Sequence, residues 1–477
     1  MEFLRQSPFK VSTIESDPRA FGRRVGDVRD CASALYNRRN VLISGPRGIG
    51  KSSLGSQLQT AYLGTSTLLD RCEIGTRLPR YLCAFTACDD TTTLPALCSE
   101  ILFSIERQCL ALKSFRLSPA RVSFEVDLKL VKAKLETDIA IRRPASVASD
   151  LVAGLSTIAT SIAAIGFDGL NVMIDEVDLV PTSVNLGHFF KIVHETLGRD
   201  NLLDITFILA GQQGIYSRLV AEDASVERLV RHVPITVLEP DEARYVLEFA
   251  ADNAKQPFAI DLRAADMILA LSAGYPYSVH LIGDAAFNAM VDSKLMTTKE
   301  VLLGMGHLLR SDKREKYLER LRALSVDQRL LVLSMSRFSS KTIPMQIPVA
   351  WIARNLLAPP TTGTACDSIL DSLVGEGHVV LNGEASSCQF TDEMFRIFTS
   401  LLVIDQRELQ ERRDLKAAYQ SEKAETQPDR TAERRFLQDY GIIDPQGIDE
   451  AVEVLSSSAF EADWDREDHS RLTKFPR

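Results

Sequence analysis

The residues with the clearest chemical content are Gly45, Pro46, Arg47, Gly48, Ile49, Gly50, Lys51 and Ser52, a run of the form GxxxxGK[ST]. Its glycines let the backbone curl so that successive amides point inward at phosphate oxygens, and the start of the following helix adds partial positive charge. In that frame Lys51 reaches the β- and γ-phosphates and the Ser52 hydroxyl ligates Mg²⁺. The loop, with Ser53 beside it, is the candidate nucleotide contact. A second run, Asn171-Val172-Met173-Ile174-Asp175-Glu176, is an apolar stretch ending in two acids. There Asp175 can hold Mg²⁺ through water, and Glu176 can polarise the attacking water as general base. The two motifs together imply hydrolysis of ATP to ADP and phosphate, with Lys51 and Mg²⁺ neutralising the charge.

Both motifs need a sheet to position them. Short apolar runs at 41–44, 81–87, 170–174, 205–210 and 233–237 alternate with helical stretches. Bare apolar runs separated by helices predict a parallel sheet covered on both faces, an α/β class of fold. The first motif follows the first run, and the second ends the third. Between the second and third runs, alternation of Val122, Phe124, Val126, Leu128 and Leu130 with polar residues predicts a β-hairpin insert at about 120–142, with a mixed-charge amphipathic helix as the other reading.

The rest of the chain divides by composition. An N-terminal arm covers 1–20 and the nucleotide core 21–239. Helices with few β-branched runs make a lid at 240–312, and a third domain spans 313–403. In that domain Ser325 and Gln328 form a capping box, and two short alternating runs flank Asn382-Gly383, a hairpin turn signal. Helix, helix, helix, hairpin is the order of a winged helix. A charged helix and tail fill 404–477.

The 477 residues carry 55 Lys and Arg against 64 Asp and Glu, a net charge of −9. Such a balance excludes a surface that coats nucleic acid throughout. Eight scattered cysteines, without a CxxC pair, predict free thiols in a reducing cytoplasm rather than a disulfide frame or zinc site. The opening MEFLRQSPFK lacks the apolar core of a signal peptide. Residues 151–166 hold no charge but fall short of the ~20 residues a bilayer requires, so they predict a helix packed on the sheet, and no membrane partner.

These motifs resemble an AAA+-type P-loop ATPase of the initiator (origin-recognition-like) and STAND-like branch with a C-terminal winged helix, over roughly residues 20–400. Phe21-Gly22-Arg23 resembles the hhGR motif that lies near the adenine there, which implies Gly22 and Arg23 as nucleotide contacts. ITFILAGQQ resembles the sensor-1 strand and implies Gln212 as the residue watching the γ-phosphate, with Gln213 as fallback. Arg228, with Arg231 as the other choice, matches the arginine finger that is supplied to a neighbouring subunit's ATP. The chain departs from the family at Gly274-Tyr275-Pro276-Tyr277, where a tyrosine replaces the sensor-2 arginine. That stretch is similar to the GxP motif of STAND ATPases, which implies Pro276 as a nucleotide contact.

The resemblance implies an ATP-dependent homo-oligomer, a switch with slow or partner-stimulated hydrolysis acting on a protein partner. Two alternatives stand beside it: an ATP-gated DNA-binding protein of replication, transposition or mobile-element control, and a scaffold subunit of a bacterial defence system. Residues 355–395 contain no Lys or Arg and six acids, Asp367, Asp371, Glu376, Glu384, Asp392 and Glu393. Such a module repels a phosphate backbone, so any DNA would be bound elsewhere, for instance by residues 313–322.

Overall fold

The computed structural model describes residues 6–112 and 144–399, apart from 23, 65, 76–77, 201–203, 273, 291–293, 311, 339–345, 357–365, 383–385, 393–394 and 397. The expected insert at 120–142 and tail from 404 lie outside the described residues. Two units form, one from Ser12–Thr236 and one from the described parts of Met1–Val11 and Val237–Arg477.

The first unit runs α1 (Val25–Tyr36), β1 (Asn40–Ser44), α2 (Lys51–Tyr62), α3 (Leu68–Arg71), β2 (Tyr81–Ala87) and α4 (Leu94–Ala111). It continues with α5 (Pro144–Ala163), β3 (Gly169–Asp175), α6 (Leu186–Arg199), β4 (Ile205–Gly211), α7 (Ile215–Glu222), α8 (Val226–Leu229) and β5 (Val230–Pro234). The five strands are parallel, in the order β2-β3-β4-β1-β5. Every residue of β1, β3 and β4 is buried, as central strands covered on both faces require. Leu170, Val172, Ile174, Phe207 and Leu209 join the apolar layer formed with α4, α5 and α6. On the other face α2 lies close, and a Cβ on its Gly55 would stand 2.4 Å from the Met173 sulfur. This face also carries polar bonds: Gln59 Nε2 donates to Ala84 O (2.7 Å), and Asn171 Nδ2 to Thr206 Oγ1 (3.0 Å).

The fifth strand begins at Val230, not at 233 as the apolar run suggests. It is an edge strand in register with Asn40–Ser44, so Arg231 and His232 can sit in it with side chains in contact with water. An apolar-run criterion misses such residues.

The uncharged stretch is a helix, α5, starting earlier than expected. By length and composition it could cross a membrane, but its Val147, Leu151, Leu155, Ile158 and Ile162 are buried in the sheet-flanking layer. Its hydroxyls bond back to the helix, as with Thr160 to Ser156 O (3.0 Å) and Ser161 to Thr157 O (2.9 Å). All eight cysteines are free and seven are buried. Burial pushes the Cys88, Cys109 and Cys388 thiols up to about 12.

Entry into β3 leaves no room for a side chain. A Cβ on Gly169 would lie 2.2 Å from the Asp204 carbonyl oxygen and 2.8 Å from the Tyr81 ring. The same Asp204 carbonyl accepts from Leu170 N (2.8 Å), so it cannot retreat without losing that bond. Gly169→Ala is therefore expected to destabilise the protein by about 1–3 kcal/mol, read as a lowered midpoint in thermal or urea unfolding. An unchanged midpoint would refute this packing.

The second unit contains α9 (Pro240–Asp252), β6 (Ala259–Ile260), α10 (Leu262–Ser272), α11 (Pro276–Ala289), β7 (Leu295–Met296) and α12 (Thr298–Arg310). Then come α13 (Asp312–Ala323), α14 (Val326–Met335), β8 (Ile347–Pro348), α15 (Val349–Arg354), α16 (Cys366–Gly375), β9 (Val379–Asn382) and β10 (Ser387–Phe390). The two-residue strands β6 and β7 pair in parallel; runs so short carry no periodicity to reveal them. The Ser325–Gln328 capping box is present in both directions, and β9 pairs antiparallel with β10, which also takes β8. One buried apolar cluster runs from Phe9 through Leu247, Ile268 and Ile282 to Leu331, Leu373 and Phe395.

Candidate functional site

β1 delivers Gly45 at the C-terminal edge of the sheet, and α2 begins at Lys51. Between them Gly48 and Gly50 take φ of 81° and 98°, a left-handed backbone that a side chain would strain. A Cβ on Gly45 would meet Ile235 O and the Ile49 side chain at 3.0 Å. Gly45 N donates to Gly211 O at the end of β4 (3.2 Å), which fastens the loop to the neighbouring strand. Lys51 folds back, its Nζ donating to Gly45 O (2.9 Å) and Pro46 O (3.0 Å). Burial pulls its pKa below the ordinary lysine value, while the Asp175 and Asp178 carboxylates push it back up.

Next to Lys51, the Ser52 hydroxyl donates to Asp175 Oδ2. Asp175 is the last residue of β3, buried, and its other oxygen accepts from Glu176 N (2.9 Å). Two residues far apart in sequence thus meet as a pair of hard oxygen donors. Glu176 leaves the strand at φ 55°, left-handed without being glycine. Its carboxylate is 46% exposed and lies 3.8 Å from the Arg47 guanidinium.

The remaining expected residues divide. Gln212 directly follows β4, exposed, with its amide donating to Asp178 Oδ1 (2.8 Å); Gln213 is exposed beside it. The Ser53 hydroxyl faces the arm, accepting from Glu15 N (3.2 Å). Gly22 is buried, and Arg23 lies outside the described residues. Arg228 is exposed on α8, whereas Arg231 pairs with Asp30 (2.7 Å). Pro276 is the first residue of α11 in the second unit.

Three residues of the first unit escaped the sequence reading. Arg24, buried, donates to Ile49 O in the 45–52 loop (2.6 Å) and to Thr236 O (2.7 Å). Asp178 ties the turn after β3 to the end of β4, and Arg218 on α7 donates to Asp178 O (3.0 Å) and Val180 O (2.6 Å). Only the second arginine of Phe-Gly-Arg-Arg and the third acid after Ile174 hint at the first two.

Chemically, the arrangement offers a curled amide loop with a half-buried lysine, a hydroxyl–carboxylate pair and a partly exposed carboxylate, all at one edge of the sheet. No protein-family model matches the chain, and no curated protein matches it. Solved structures similar to it include the Walker-type ATPase PABY2304 of Pyrococcus abyssi, 14% identical over 81% of this chain and 98% of that one, with a TM-score of 0.45. The Aeropyrum pernix ORC2 protein in ADPNP–ADP complexes is 14% identical over 85% and 100%, at 0.45. A Thermotoga maritima RuvB mutant is 13% identical over 79% and 93%, at 0.36. By its own strand order, with the glycine-rich loop between β1 and α2 and β4 seated between β1 and β3, the first unit has the α/β fold of a P-loop NTPase.

Proposed function

We propose that this chain is an AAA+-type ATPase that binds ATP with Mg²⁺, hydrolyses it slowly or on stimulation, assembles with itself and switches a protein partner. The observation that carries the reading is the meeting of Lys51, the Ser52–Asp175 pair and the Glu176 carboxylate at one sheet edge. Lys51 exchanges two loop carbonyls for phosphate oxygens, and its desolvated ammonium gains more from an anion than it would in water. Ser52 and Asp175 fit Mg²⁺: both are hard oxygen donors, and so few protein ligands leave the other positions to phosphate and water. When bound, that ion supplies charge neutralisation at the phosphates. Glu176 takes the proton of the attacking water, from its position directly after the buried strand β3.

Gly22, Arg23 and Pro276 are proposed to line the rest of the nucleotide, Gln212 to report on the γ-phosphate, and Arg228 to reach a neighbouring subunit. The module from α14 to β10 is read as a winged helix that docks protein. Its acids argue against a DNA-reading role, and so does α13. There Arg320 is spent on Asp392 (3.3 Å), His378 (3.0 Å) and the Phe395 ring (4.3 Å), while Arg322 pairs with Glu315 (3.3 Å). A cytoplasmic location goes with the free thiols.

Equilibrium binding of ATP with Mg²⁺, followed by phosphate release, tests the reading. Lys51→Ala is expected to weaken ATP binding by about 10- to 100-fold, the worth of one or two charge-assisted bonds. A wild-type protein that neither binds nor hydrolyses ATP would overturn the proposal, as would a Lys51→Ala variant indistinguishable from it.

A further inference from the structure

We propose that Arg218 is a positioning residue for hydrolysis, holding the turn after β3 so that Glu176 and Gln212 stay in fixed relation. This rests on the ATPase reading above. The turn begins at the left-handed Glu176 and closes on itself through Leu179 N to Glu176 O (2.9 Å). Nothing covalent links it to the end of β4, yet both ends must present their side chains to one phosphate. Two bonds join them: Val177 N to Ala210 O (3.0 Å) and Gln212 N to Asp178 Oδ1 (2.8 Å). The second depends on where Asp178 sits. Its carboxylate presses against Gly211, where a Cβ would stand 3.1 Å from Oδ1.

Arg218 sets that position from below. Its two terminal nitrogens donate to Asp178 O and Val180 O, and its Nε donates to Glu222 Oε1 (3.0 Å). The other Glu222 oxygen accepts from Gly187 N in the first turn of α6 (2.7 Å). One planar guanidinium therefore fastens the turn after β3 to α7, and through Glu222 to α6. The Arg218 and Glu222 side chains are 21% and 12% exposed, so water does not readily replace these bonds. A lysine keeps the charge but cannot present three donors in one plane. The turn would then lose one of its two carbonyl anchors, and Asp178 would be free to leave Gln212.

The test is Arg218→Lys and Asp178→Ala, singly and combined, in the full chain. Turnover, ATP affinity and thermal midpoint are measured on each. Misplacing a catalytic group by about 1 Å costs up to about 100-fold in rate, and a smaller shift about 10-fold. We expect each single variant to lose turnover by that factor, with ATP affinity held within about twofold for Arg218→Lys, whose side chain bonds to no group of the 45–52 loop. The double variant should be no slower than the worse single, because both act through one bond. If wild type hydrolyses ATP and Arg218→Lys matches its turnover, the inference is wrong and the ATPase reading stands. It is also wrong if affinity and turnover fall in proportion to a lowered midpoint, which is plain destabilisation. Should Arg218→Lys fail to fold, Arg218→Gln, which keeps a planar donor group but drops part of the three-way contact, is measured in its place. A wild type without ATPase activity removes both readings.

Discussion

Glu176→Gln is expected to stop turnover while leaving ATP bound. The amide is nearly isosteric with the carboxylate but cannot accept a proton, so general-base assistance disappears, worth about 10² to 10⁴ in rate. Binding should survive because the loop, Lys51 and the Ser52–Asp175 pair make no use of the Glu176 side chain. Among the described residues its ion-pair partner is Arg47, 86% exposed and 3.8 Å away, so the pair that is lost contributes little to stability. Single-turnover phosphate release and ATP affinity measured together give the result. Equal loss of affinity and rate would assign Glu176 to binding, and an unchanged rate would remove it from the reaction. The same variant holds the nucleotide-bound state long enough for light scattering to report the oligomer.

Arg228→Ala is expected to reduce turnover of the assembled protein by about 10³-fold, with little change in ATP affinity. Arg228 stands exposed on α8, four residues long, immediately before the edge strand β5. Among the described residues no hydrogen bond or ion pair occupies its side chain. Arg231 is already committed to Asp30, so Arg231→Ala should change turnover far less. The decisive measurement is a mixture. Arg228→Ala subunits keep an intact ATP site, and Glu176→Gln subunits keep the arginine, so mixing two inactive proteins should restore part of the activity. No recovery from the mixture, or a wild type that stays monomeric with ATP and Mg²⁺, removes Arg228 from the mechanism.

Much of the site was legible because its chemistry needs particular residue types at close spacing. A phosphate loop requires glycine where φ is positive, and Gly48 and Gly50 are found there. Asp175 and Glu176 announce themselves as acids at the end of a run too apolar for anything but a buried strand. The Ser325–Gln328 capping box and the β9–β10 hairpin were legible for the same reason, since local bonds demand local residues. The start of β5 was not, because an edge strand tolerates Arg231 and His232 and shows no apolar run.

The sequence by itself determined the strand–loop–helix around the GxxxxGK[ST] run, the acid pair, and their order along the chain. Tertiary structure alone decided that β4 lies between β1 and β3, that Ser52 meets Asp175, and that among the described residues Arg231 but not Arg228 is engaged. It alone revealed Arg24, Asp178 and Arg218. Those side chains act on backbone groups: Arg24 on Ile49 O, Arg218 on Asp178 O and Val180 O, Asp178 on Gln212 N. Every residue carries a carbonyl, and every residue but proline an amide hydrogen, so such a bond places no demand on what its partner is. Only the folded backbone, bringing distant peptide groups within 3 Å of one guanidinium, makes the contact visible.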